Sequence, residues 1–68
     1  MNLRGAIFSR FKTIGDFAAA IGWSHSKASR IINGIQEPSP SEIEEISKLL
    51  ELSKESFFKI FFANLYTK

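Results

Sequence analysis

Thr13-Ile14-Gly15-Asp16-Phe17-Ala18-Ala19-Ala20-Ile21-Gly22-Trp23-Ser24-His25-Ser26-Lys27-Ala28-Ser29-Arg30-Ile31-Ile32-Asn33 is the stretch whose reading decides the fold. Ile14, Phe17, Ala18 and Ile21 recur at the three-and-four spacing that lines one face of a helix. Thr13 stands where an N-cap belongs, its hydroxyl placed to accept from the Asp16 N–H, and the Asp16 side chain can reach back in a short capping box. Gly22 ends the run at the position where a helix commonly needs a left-handed residue. Only Trp23 separates it from the next cap, Ser24, so the two helices meet in a turn too tight for an antiparallel hairpin. They must cross steeply. The second of them runs from about His25 to Asn33, buries Ala28, Ile31 and Ile32, and stops at Asn33-Gly34.

Outward from this unit the same period continues, and no segment alternates with the period of two that marks a strand. Leu3, Ile7, Phe8 and Phe11 trace a first helix capped by Asn2 and ending near Lys12. Ser39-Pro40-Ser41-Glu42 joins an N-cap Ser, a Pro at the first helical position and a Glu at the third, the strongest helix start in the chain. The helix it opens carries Ile43, Ile46, Leu49 and Leu50. Ser53 caps a fifth helix, with Leu52 and Phe57 spaced as a hydrophobic staple. The expected fold is all-α, a compact five-helix arrangement forming one domain over residues 1–68, without a second, effector-sensing domain.

The 68 residues contain no Cys and a single His, His25, which excludes a disulfide framework and leaves no basis for a metal site or other cofactor. With 44% hydrophobic residues, seven of them Phe, the chain has the makings of a packed core. It holds neither an apolar run long enough to span a bilayer nor the pattern of a secretory signal, so a cytoplasmic location and no membrane partner are expected. Net charge is only +2, yet unevenly spread. Residues 1–36 hold Arg4, Arg10, Lys12, Lys27 and Arg30 against Asp16 alone, a net of +4, while residues 37–68 carry a net of −2. That split suggests a basic face for a polyanion and an acidic remainder turned from it.

Residues 13–33 contain what a helix-turn-helix requires: small Ala18 at the close approach, Gly22 for the turn, and Phe17, Ile21, Ala28 and Ile31 to hold the crossing rigid. With Ala28, Ile31 and Ile32 on the buried side of the second helix, Ser26, Ser29 and Arg30 lie opposite, flanked by His25 and Lys27. All five can hydrogen-bond to base edges or phosphates. A solvated helix also turns polar residues outward, but the tight turn, the small residue at the crossing and the basic half of the chain add weight independently.

Phe17-Ala18, Ile21-Gly22-Trp23-Ser24, Ser29-Arg30-Ile31-Ile32-Asn33-Gly34 and Pro38 before a capped helix resemble the Cro and phage-repressor family of helix-turn-helix regulators, over residues 3 to about 62. The resemblance implies a five-helix domain whose third helix enters the major groove of double-stranded DNA, usually as a homodimer on a palindromic operator. It implies base contacts from His25, Ser26, Lys27 and Arg30, with Ser29 on the same face. Phosphate contacts would come from Thr13 and Ile14 at a helix N-terminus, aided by Lys12 and Arg10, and from Asn33 and Gly34.

Three positions depart from the family pattern. Ile14 stands where many members have a Gln that contacts DNA, leaving backbone N–H groups for that role. Ile35, Gln36 and Glu37 replace residues that are often basic. Ile7 and Ile32 occupy the places of a common Arg–Glu pair, and an apolar pair can replace a buried ion pair without loss of stability. Trp23 is expected to plug the core between the two helices, with an indole N–H able to reach a phosphate, and Glu42, Glu44, Glu45 and Glu51 to form a solvated face.

On a helical wheel of residues 53–66, Phe57, Ile60 and Phe61 suit the domain's own core, whereas Phe58, Phe62, Leu65 and Tyr66 form an adjoining apolar sector that predicts a dimer interface. No nucleophile–base pair, carboxylate pair or phosphate-cradling Gly loop is present, so the chain does not read as an enzyme. A transcriptional regulator, a small phage- or prophage-type repressor without a small-molecule effector, is the expectation. The alternative is an antitoxin of a toxin–antitoxin pair or another protein-binding module, which share this fold.

Overall fold

The computed structural model describes residues 2–62; Leu65 and Tyr66, two of the four residues assigned to a dimer interface, lie outside them. Five helices follow in order: α1 (Leu3–Phe8), α2 (Ile14–Ile21), α3 (His25–Ile32), α4 (Pro40–Leu50) and α5 (Lys54–Phe61). Each begins on a side-chain cap. The Asn2, Thr13, Ser24, Ser39 and Ser53 side chains accept backbone N–H groups of Gly5, Asp16, Lys27, Glu42 and Ser56 at 2.7–3.2 Å. At α4 the box closes fully, the Ser39 N–H donating to Glu42 Oε1 at 2.8 Å over a Pro at the first position. Asp16 makes no such return bond at α2.

α1 stops sooner than its apolar spacing suggests. The Ser9 hydroxyl donates to the Ala6 carbonyl at 2.6 Å, and the Arg10 N–H donates to the Ile7 carbonyl at 3.0 Å, tightening the last turn. Phe11 therefore reaches the core from the connection, outside the helix. Gly22 and Gly34 take positive φ of 81° and 76°, as the ends of α2 and α3 demand. α4 ends in the same way, but on Glu51 at φ 53°. There the Leu52 N–H reaches the Ser47 carbonyl at 3.1 Å, so the closing hydrogen bond holds a side-chain-bearing residue in a conformation that ordinarily favours Gly.

α2 packs on α3 and α4, and α1 on α3 and α5. Phe17, Ile7, Ile46 and Ala28 are fully enclosed where these elements meet, with Ala6, Ala18, Ile32 and Leu50 around them. The Phe17 ring meets the edges of Phe11 and Trp23 at 5.7 Å each, which fixes the α2–α3 crossing with large rigid groups. Trp23 thus sits against the core as its place in the turn suggests, and Ile7 and Ile32 share the buried cluster.

The wheel of α5 needs one correction. Ile60 and Phe61 pack against the core, but Phe57 turns to its own helix, with ring centroids 6.0, 5.2 and 5.6 Å from Phe58, Phe61 and Phe62. A wheel assigns faces by angle alone and cannot foresee that neighbouring rings gather into a cluster of their own. In consequence α5 buries none of its residues completely, and Phe58 is 48% exposed.

Candidate nucleic-acid interface

α3 lies on a floor of Ala28, Ile31 and Ile32, all buried, and carries its polar side chains away from it. His25, Ser26 and Arg30 are exposed, while Lys27 and Ser29 are half-buried at its flanks. The five residues expected at base edges therefore do share one helix surface. Their heads are held differently. Arg30 is gripped twice, its Nε–H donating to Gln36 Oε1 at 2.9 Å and its Nη1 to the Ser26 hydroxyl at 2.6 Å.

Lys27 is drawn to the side. Its ammonium pairs with Glu42 Oε2 and lies 4.6 Å from the centre of the Trp23 ring. One carboxylate thus serves both α3, through Lys27, and the start of α4, through the Ser39 N–H. The Lys27 ammonium, followed by the Ser39 N–H, holds the Glu42 carboxyl below the usual carboxylate range. A carboxyl so lowered on folding stabilises the fold above its unfolded pKa, and that contribution is lost as pH falls through the lower folded value. Glu42→Gln keeps a residue able to cap but removes the charge, so it should lower the melting temperature at neutral pH and lose that deficit progressively in acid. Thermal melts of both proteins along the acid limb check this; a deficit constant with pH would show that ionisation of Glu42 is not its source.

The residues expected at the backbone are divided by the fold. The N-termini of α2 and α3 come together: a Cβ added to Gly15 would stand 3.9 Å from His25 Cδ2. Lys12 and Thr13 are exposed beside this junction in sequence, whereas Ile14 is half-buried with its side chain packed on the core, leaving its backbone for any anion. Arg10 is elsewhere. Its Nη2 donates to the Leu50 carbonyl at 2.9 Å, compensating the C-terminal end of α4. At the other end of α3, the Asn33 Nδ2 donates to the Ser29 hydroxyl at 3.2 Å, and its Oδ1 accepts from Arg4.

A family model described as helix-turn-helix matches residues 12–57, spanning the α2–α3 unit, α4 and the start of α5. The chain belongs to this helix-turn-helix family, of the Cro and phage-repressor type. It is a DNA-binding regulator family, and the match covers all of α2 and α3, though not Arg4 or Arg10. No curated protein and no solved structure gives a significant match to this helix-turn-helix chain. No helix among the described residues is long and apolar enough to cross a membrane.

Two residues of this helix-turn-helix surface escape sequence reasoning. Arg4 brings a cation to the C-terminal end of α3, its guanidinium 5.1 Å from the Phe8 ring centre as well as bonded to Asn33. Gln36 holds Arg30, although its place in the loop suggested only the loss of a basic residue. The first could have been suspected from the unpaired basic excess of the N-terminal half; the second had no signal, because a loop Gln is ordinary.

Proposed function

We propose that this protein is a sequence-specific transcriptional regulator, a small phage- or prophage-type repressor, that reads double-stranded DNA with α3 in the major groove. The observation that carries the reading is the exposed Arg30 head, braced on the outer face of a helix whose inner face is locked into the core. His25, Ser26, Ser29 and Arg30 are the base-reading set, joined by Lys27 when it leaves Glu42. Lys12, the backbone at Thr13 and Ile14, Asn33 and Gly34 contact phosphates, with Arg4 added at the far end of α3. A homodimer on a palindromic operator fits the aromatic surface at α5, where the Phe58, Phe61 and Phe62 rings lie within 6.0 Å of Phe57 and Phe58 stays 48% exposed.

Selection of bound duplexes from a random pool, run on the wild type and two variants, tests the reading. Arg30→Ala should weaken the preferred site by about 1–3 kcal/mol and relax preference at one base pair, most simply a guanine read through O6 and N7. Lys12→Ala should weaken every sequence alike, since a phosphate contact carries no sequence information. An Arg30 variant that selects the same bases with the same stringency sinks the assignment.

A further inference from the structure

We infer that Gln36 is a positioning residue for base recognition, setting which edge of the Arg30 guanidinium meets the DNA. The inference rests on the reading of α3 as the base-reading helix. After α3 the chain turns back through Gly34 at φ 76°, and the Ile35 and Gln36 N–H groups both donate to the Arg30 carbonyl, at 2.9 and 3.2 Å. The residue that holds the Arg30 head is thereby anchored to the Arg30 backbone. A guanidinium offers two forks: a side-on one from Nε–H and the terminal N–H beside it, and an end-on one from the two terminal nitrogens. With Nε–H committed to Gln36 Oε1 at 2.9 Å, the side-on fork is closed, and the N–H groups left for a base edge are those of Nη2 and the one on Nη1 that Ser26 does not take. Ser26, one turn earlier, accepts from Nη1 at 2.6 Å and steadies the same plane.

The brace acts on specificity more than on attraction. A free arginine can swing to a phosphate on any duplex, whereas a braced one is already ordered for a base edge, and ordering one long side chain costs about 0.5–1.5 kcal/mol on binding. Converted by the thermal energy at 25 °C, that is about a 2- to 12-fold effect. Gln36→Ala should therefore lose about 2- to 12-fold in affinity for the preferred duplex and nothing on a duplex with the Arg30 base pair exchanged, shrinking the ratio between them. Gln36→Glu keeps an acceptor at the same reach but adds a negative charge; it should weaken both duplexes and retain their ratio.

The experiment measures both duplexes by competition for the full-length wild type, Arg30→Ala, Gln36→Ala and Gln36→Glu, with circular dichroism confirming the helices in each. Without DNA, exchange of the Arg30 Nε proton with water, followed by NMR, should be slow in the wild type and in Gln36→Glu and fast in Gln36→Ala. A wild type that does not discriminate the duplexes overturns the reading of α3, and the inference with it. If the wild type discriminates, Arg30→Ala abolishes the discrimination and Gln36→Ala leaves it intact, only the inference falls. An Nε proton that exchanges equally fast in the wild type and Gln36→Ala also overturns it.

Discussion

The Phe58→Glu, Phe62→Glu double variant is expected to be a folded monomer that has lost most of its operator affinity. Neither ring is among the groups packed on the core, so charging both leaves Phe17, Ile7 and Ile46 enclosed as before. Among the described residues their ring partners are each other, at 5.6 Å, and Phe57. Covering large apolar groups of this kind against a second copy is worth roughly 1.5–3 kcal/mol for each before the cost of association. A two-fold axis through α5 would set two α3 helices side by side, and successive major grooves demand roughly 34–36 Å between them. Dimer and palindrome are then one property, and a monomer forfeits the second half-site, an avidity of about 10²–10⁴. Light scattering and operator titration read both consequences. The proposal of a homodimer fails if the wild type is monomeric at micromolar concentration, or if the variant remains a folded dimer.

Phe17→Ala should bring the domain to the edge of unfolding. The ring is entirely enclosed and supports two others edge-on, Phe11 and Trp23, at the point where α2 crosses α3. Removing such a ring typically costs about 3–5 kcal/mol, while a domain of this length has only about 3–10 kcal/mol to lose. Urea denaturation followed by circular dichroism should show a midpoint shifted far toward zero, with weak DNA binding as a secondary result. A loss under about 1 kcal/mol would mean that the crossing is not held as described.

The helices were legible because their starting signals are local. Asn2, Thr13, Ser24, Ser39 and Ser53 each accept an N–H only three residues ahead, so a short window of sequence contains the whole interaction. Gly22 and Gly34 likewise announce their own backbone conformation, whereas Glu51 adopts it with no residue type to signal it. The end of α1 misled for the opposite reason: Phe11 keeps the helical period although the Ser9 hydroxyl has already closed the last turn. The exposed face of α3 followed from period alone, since knowing what α3 buries says what it exposes. What holds that face did not follow. Arg4 and Asn33 are 29 residues apart, and Arg10 and Leu50 are 40. The Lys27–Glu42 pair likewise joins two helices. Such partnerships exist only once the helices have docked, which is why Arg10 looked available for phosphate and Gln36 looked like an absence.

The seating of Trp23 gives the molecule a built-in optical probe. It is the only tryptophan, half-buried in the turn, with the Phe17 ring against it and the Lys27 ammonium over its face. Its fluorescence therefore comes wholly from the junction of α2 and α3, with no second indole to blur it. Loss of the core should shift the emission to the red as water reaches the ring. Departure of Lys27 toward a nucleic acid would instead change the charge above an indole that stays in place, a quenching change without that shift. Unfolding and engagement of the helix-turn-helix thus have separable signals in the unlabelled chain.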